Sequence, residues 1–241
     1  MSRLSPFCAA GCVAALALVA CGSPSVATPT ATARPTPSPT PTPQPPDTQN
    51  VELVSSGLGV YQAVVVTVAV LHNAAIRTGV SGVIVHFVPT RSGRPLTPLD
   101  SPAVTLYPGE TLAVTAYCTD TCNNTGTTAD PDAVVVTVGT GTWAPLPGAP
   151  LIVGPATTTC VVKGCLGHGQ WDLSANVGSP ELTEGTRVDL FAWCSDAAGR
   201  IIGGGQRSLP WPQAGGSLNL EVPTILSAPP ASCLVGASAP I

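Results

Sequence analysis

The sequence predicts an all-β protein, built as two tandem antiparallel β-sandwiches behind an N-terminal signal segment and a disordered Thr/Pro-rich linker. Three observations carry this. The apolar content, 44% of residues, is mostly Val and Ala with few aromatics, and it is punctuated by 25 Gly and 27 Pro; Val- and Thr-rich runs of this kind fit pleated, half-buried strands better than helices. Short runs alternate with period two: Val64, Val66, Val68 and Val70 against Val65, Thr67 and Ala69; Leu218, Leu220 and Val222 against Ser217, Asn219 and Glu221; Val134, Val136 and Val138 around Val135 and Thr137. Finally, the second half of the chain echoes the first. Val83-Ile84-Val85-His86-Phe87-Val88 followed by Gly93-Arg94 lines up with Asp189-Leu190-Phe191-Ala192-Trp193-Cys194 followed by Gly199-Arg200 at a constant offset of 106.

The chain opens on a targeting segment. Arg3 supplies positive charge, Phe7 to Val19 is apolar but short for a membrane span, and the stretch ends in Leu18-Val19-Ala20-Cys21-Gly22. That sequence closely resembles the lipobox of bacterial lipoproteins. The resemblance implies cleavage of residues 1–20, lipidation of Cys21, and a membrane as partner through the N-terminal lipid, at the cell membrane or outer membrane and outside the cytoplasm. Two or three acyl chains, at ~0.8 kcal/mol per buried CH₂, anchor stably where one does not. Residues 21–49 hold the lipidated Cys and a run of Thr-Pro and Ser-Pro steps. Such composition cannot bury enough apolar area to offset chain entropy, and its prolines favour an extended tether at ~3.1 Å per residue.

Nine cysteines remain to be placed. Cys8 and Cys12 leave with the signal and Cys21 takes lipid, so Cys118, Cys122, Cys160, Cys165, Cys194 and Cys233 stay in the mature chain. An even count in an exported protein predicts disulfides. Cys118–Cys122 and Cys160–Cys165 are expected as local clips. Cys194–Cys233 is expected to close a long loop, with Cys194 inside the core and Cys233 meeting it across two sheets. A four-cysteine zinc site is the rival reading, weakened by the four residues between Cys160 and Cys165 and by the oxidising compartment.

Further likenesses flank the aligned strands. Val70-Leu71-His72-Asn73 precedes the first and Leu173-Ser174-Ala175-Asn176 the second; Tyr107-Pro108-Gly109-Glu110 and Gln213-Ala214-Gly215-Gly216 follow as turns into strands. The order of strands and turns, with Phe191, Trp193, Asp196 and Gly199 leading into Ile201-Ile202-Gly203, resembles the FxLYD domain, an Ig-like sandwich module of bacterial envelope lipoproteins. The first half departs from it at Pro89 and Thr90. The resemblance implies two Ig-like modules, at 50–146 and 151–241, divided by the Pro/Gly-rich stretch Thr142 to Pro150. It implies no catalytic residues.

Other chemistry finds little support in the residues. Net charge is −4 and Lys163 is the only lysine, which leaves no basic field for nucleic acid. His168, in a Gly-rich loop near Asp172, lacks a nucleophile motif beside it. His86 reads as a strand residue pointing outward or making a core hydrogen bond. The loop Thr119 to Asp132, with Asp120, Asn123, Asn124, Asp130 and Asp132, has oxygen ligands suited to Ca²⁺ but no EF-hand spacing. Gly203-Gly204-Gly205 reads as a bulge or turn, not a phosphate cradle. Of Trp143, Trp171, Trp193 and Trp211, Trp193 is expected to cover a sheet face. Trp211, between Pro210 and Pro212, is expected in an exposed turn as the candidate contact for a protein or glycan of the envelope. No catalytic, metal-binding or cofactor-binding residue is expected. The role is expected to be binding or structural and not enzymatic, with a cell-wall hydrolase or its accessory module as the alternative.

Overall fold

A computed structural model describes residues 46–62, 64–119, 130–161, 169–212 and 214–239. The signal segment, Cys21 and the tether lie outside these residues, as do Asp120, Cys122, Asn123, Asn124, Cys165 and His168. Every regular element described is a β-strand, and every pairing is antiparallel. The first half contains β1 (Val51–Tyr61), β2 (Val64–Asn73), β3 (Gly79–Val83), β4 (Val85–Arg91), β5 (Arg94–Pro95), β6 (Leu99–Asp100), β7 (Val104–Leu106), β8 (Thr111–Cys118), β9 (Ala133–Val138) and β10 (Thr142–Ala144). The second contains β11 (Ile152–Val153), β12 (Thr157–Cys160), β13 (Gly169–Gly178), β14 (Arg187–Ser195), β15 (Ile201–Pro210), β16 (Ser217–Leu226) and β17 (Ser232–Ser238).

The repeat read from the sequence extends to the strand pairing. In the first half β2 lies between β1 and β8, while β4 pairs with β9 and the short β5 and β6. In the second, β13 lies between β12 and β16, while β14 pairs with β17 and β15. The register follows the same offset: Val66 faces Tyr117, and 106 residues on, Asp172 faces Pro223. Likewise the Asn73 N–H donates to Glu110 O (2.9 Å) as the Ser179 N–H donates to Gly216 O (3.1 Å). This corrects one alignment, since the counterpart of Asn73 is Ser179 and not Asn176. Both side chains accept a backbone N–H two residues on, Asn73 Oδ1 from Ala75 (3.0 Å) and Ser179 Oγ from Glu181 (3.2 Å). Asn and Ser side chains both close turns of this kind, Ser the more weakly, so matching Asn to Asn misplaced the register by three.

Each half has its own core. Leu173, Ala175, Val177, Val188, Leu190, Ala192, Cys194 and Trp211 are among the buried residues of one. The other gathers Leu71, Val80, Val83, Val85, Phe87, Leu106, Leu112 and Val114 around β2, β3, β4, β7 and β8, and it includes Phe191 from the second half. Between the two cores lies a third cluster of Val66, Val68, Val70 and Ala113, against which Trp193, Ile201 and Ile225 pack. β2 is therefore apolar on both faces: Ala69 and Leu71 enter the first core while Val66, Val68 and Val70 face the seam. Trp193 covers a sheet face as expected, and that face is the seam.

Glycines let the layers approach. A Cβ on Gly59 of β1 would lie 2.3 Å from Ile225 O and 2.7 Å from the Gly203 Cα. The β14–β15 ladder shifts register between Cys194, which faces Gly203, and Ser195, which faces Ile201, so the bulged residue is Ile202. Gly203, at φ +145°, Gly204 and Gly205 pair regularly with Cys194, Trp193 and Ala192, and the triple glycine read as a bulge or turn is paired strand beside the bulge. β15 then pairs with β16 only at Gly203–Leu226 and Gly204–Ile225. β10, which ends at Ala144, pairs with β3, and β11, which begins at Ile152, pairs with β13. The expectation of separately folded halves makes no allowance for the buried seam, and the described residues belong to one compact unit.

Cys194 and Cys233 are disulfide-bonded, with Cα atoms 4.1 Å apart. They face each other on neighbouring strands β14 and β17 of one sheet. The expected bridge across two sheets is thus corrected: the last apolar run pairs alongside β14, and facing residues on antiparallel neighbours are close enough to bridge. Cys118 and Cys160 are also disulfide-bonded; Cys122 and Cys165, their expected partners, lie outside the described residues.

Candidate functional site

At one end of the molecule four segments from both halves enclose a cleft of about 220 Å³. The first wall is the turn Tyr107–Glu110. Gly109, at φ +69°, allows the chain to reverse there, and its N–H donates to Asn73 O (3.1 Å) and Ala75 O (3.0 Å). The fully buried Asn73 amide donates to Thr78 O (3.1 Å), Leu106 O (3.3 Å) and Tyr107 O (3.0 Å), fixing the turn against the end of β2. The same corner receives the start of the described chain. Asp47 accepts the N–H groups of Ile76 (2.8 Å), Arg77 (3.2 Å) and Thr78 (3.0 Å) and the Thr78 hydroxyl (2.6 Å). These bonds, the Thr78 hydroxyl foremost, hold its carboxyl below the ordinary range.

The opposite walls are the turn Ser179–Leu182, the crossover Pro147–Leu151 and the end of β17. Two sets of bonds cross between halves or onto the crossover: Thr105 N–H donates to Ser238 Oγ (3.1 Å), and Tyr107 OH donates to Pro147 O (3.2 Å). Inside, the Tyr107 N–H donates to Glu110 Oε2 (2.7 Å). Burial pushes the Glu110 carboxyl up to about 7 despite that donor. The Tyr107 hydroxyl is raised too, by burial first and then by the charges of Glu110 and Glu181. The arrangement can hold and release a proton near neutral pH. Perturbed groups in clefts mark functional positions, though ion networks of structural origin produce them as well.

None of Tyr107, Glu110 and Glu181 was a candidate from sequence. Tyr107-Pro108-Gly109-Glu110 reads as an ordinary turn, and the cleft walls come from residues far along the chain. One signal was present: at the offset of 106, Glu110 falls on Gly216, an acid with no counterpart in the repeat.

The residues singled out from sequence fall elsewhere. Trp211 is fully buried in the second core, and its indole N–H donates to Gly215 O (3.2 Å). The expectation of an exposed recognition residue is therefore corrected. The flanking prolines end β15 without turning the indole outward, and the Gly215 carbonyl satisfies the one polar atom that burial would leave bare. Trp143 and Trp171 pack at the edges of the two cores. His86 points outward, its Nδ1 2.7 Å from Asp100 Oδ1. His72 Nδ1 lies 3.0 Å from the Thr111 hydroxyl. Of the oxygen-rich loop's acids, Asp130 and Asp132 are described; Asp130 is exposed, and Asp132 accepts the Ser92 N–H (2.8 Å). Among the described residues no group of three or more His, Cys, Asp or Glu side chains comes together.

No described protein family matches the chain, and no curated protein matches it in sequence. Among solved structures it is similar to a β-D-mannosidase from Dictyoglomus thermophilum, at 10% identity and a TM-score of 0.22, over 68% of this chain and 24% of that one. The chain thus spans about a quarter of that enzyme's length, and a likeness of this size carries no functional argument.

Proposed function

We propose that the protein is a lipid-anchored component of a bacterial envelope or surface, with a non-catalytic binding or structural role. In this reading Cys21 carries the lipid, and residues 23–46 hold the folded part tens of ångströms from the bilayer. The folded part would be two Ig-like sandwiches that share a seam, and its partner a protein or glycan of the envelope. The observation that carries the reading is the oxidation of the cysteines. All four in the described residues, Cys118, Cys160, Cys194 and Cys233, are disulfide-bonded, the state expected of an exported chain and rare in the cytosol. A lipobox-like Leu18-Val19-Ala20-Cys21 ahead of such a body supports anchoring over free secretion. The matching strand pairing of the halves supports duplication of one module.

The test is Cys21→Ala. The wild-type protein is expected in the membrane fraction and the detergent phase, and the variant as an uncut precursor or a soluble protein. Equal partitioning of both into detergent contradicts the anchor.

A further inference from the structure

We propose that the cleft between the two halves receives a lysine side chain from a basic partner protein, its ammonium held between Glu110 and Glu181 and its methylenes lying along the apolar walls. The proposal rests on the binding role given above and names the partner's chemistry; it does not depend on the anchor at Cys21. The geometry carries it. The cleft is open to entry, with Glu110 half-buried on one wall and Glu181 exposed on the other. Its volume of about 220 Å³ is below the ~300–1,000 Å³ of a pocket for a drug-sized ligand, so it fits one extended side chain. Ala149, Leu151, Leu182, Ala237 and Ala239 give it apolar walls, along which an alkyl arm packs behind its charged tip.

The tip meets acceptors that the fold leaves open. Among the described residues neither Glu110 nor Glu181 is in an ion pair, and no Lys, Arg or His lines the cleft. Glu110 accepts the Tyr107 N–H of its own turn through Oε2 (2.7 Å), which leaves Oε1 for a ligand. Gly148, at φ +78°, makes room for Glu181: a Cβ there would collide with Glu181 Oε2 and lie 3.7 Å from the Tyr107 hydroxyl. That hydroxyl donates to Pro147 O (3.2 Å) and keeps its own oxygen as an acceptor. An ammonium has three donors and no acceptor, and Glu110, Glu181 and Tyr107 offer three acceptors. A cation here also draws the raised Glu110 carboxyl back toward its ordinary range. A Ca²⁺ ion takes roughly six to eight oxygen ligands, more than two carboxylates beside apolar walls provide. The chain's net charge of −4 favours approach by a basic partner.

Titration of the mature, lipidated chain in non-ionic detergent with Nα-acetyl-lysine methylamide, followed by amide NMR shifts at constant ionic strength, tests this. Saturable shifts are expected at Tyr107, Glu110 and Glu181, with little change at the centre of β13. Nα-acetyl-norleucine methylamide, which keeps an alkyl arm and lacks the ammonium, is expected to bind at least about tenfold more weakly. Glu181→Gln, at an exposed position, is expected to fold as the wild type does and to weaken lysine binding by about tenfold, and Glu110→Gln to weaken it similarly. Absence of saturable shifts, equal binding of the norleucine compound, or unchanged binding in both variants overturns the proposal. So does calcium chloride that shifts the same amides at a lower concentration than the lysine compound, which would make the cleft a metal site. These shifts report the cleft alone: a negative result leaves the anchor and a binding role elsewhere on the surface standing, whereas failure of the Cys21→Ala test leaves the shifts unchanged.

Discussion

Gly59→Val is expected to destabilise the protein by more than about 3 kcal/mol and to bring both halves down together. The reason is the nature of the atoms a side chain would meet. At 2.3 to 3.0 Å from the position of its Cβ stand Ile225 O, the Gly203 Cα and Ile202 O, all backbone. No flexible side chain can swing aside, so β1 must lift from β15 and β16. Lifting it uncovers Val66, Val68 and Val70 on one side and Ile201, Ile225 and Trp193 on the other. Ser56→Val, on an exposed position of the same strand, serves as the control and is expected to change stability by about 0.5 kcal/mol or less. Denaturant unfolding of both variants checks this. A Gly59→Val protein with the wild-type midpoint would show that β1 does not lie against β15.

Removing the bridge between Cys194 and Cys233 is expected to cost about 4 kcal/mol, the chain-entropy value for a loop closed over 39 residues. The effect is expected to reach beyond the second core. Cys194 lies fully buried beside Leu190 and Ala192 on one face of β14, while Phe191 and Trp193 project from the other face into the first core and the seam. A looser β14 therefore loosens both halves. Comparing the denaturation midpoint of the Cys194→Ala/Cys233→Ala protein with that of the wild type measures the cost. A loss below about 1 kcal/mol would mean that pairing of β14 with β17 suffices without the bond.

The all-β class was legible because β9 and β16 are half-buried, and their alternation maps directly onto exposure: Val134, Val136 and Val138 inward, Ser217, Asn219 and Glu221 outward. The seam was less legible for the same physical reason. A strand covered on both faces reads as a near-continuous apolar run, and Val64 to Leu71, interrupted by Thr67 alone, and Leu190 to Trp193 are such runs. Read as alternating, they imply one buried face and two free modules. Read as continuous, they call for a second covering layer, which the other half supplies. Cysteine pairing at Cys194 and Cys233 followed from compartment and position, whereas their placement on adjacent strands depends on how β17 joins the sheet, a long-range choice that local pattern does not encode. Trp211 shows the limit of flanking residues as a guide: prolines on both sides mark the end of a strand and leave burial undecided. Glu110 was hidden because its burial is made by Pro147–Leu151 and Ser179–Leu182, segments tens of residues away.

The central claim, an exported chain anchored at Cys21 with its remaining cysteines oxidised, is tested most directly by the intact mass of the protein isolated from its native membrane, before and after reduction. The account predicts a chain beginning at Cys21, heavier than its sequence by two or three acyl chains. It also predicts a gain of six hydrogens on reduction, one for each of Cys118, Cys122, Cys160, Cys165, Cys194 and Cys233. A mass that retains residues 1–20, carries no acyl addition and takes up thiol label without reduction would contradict it.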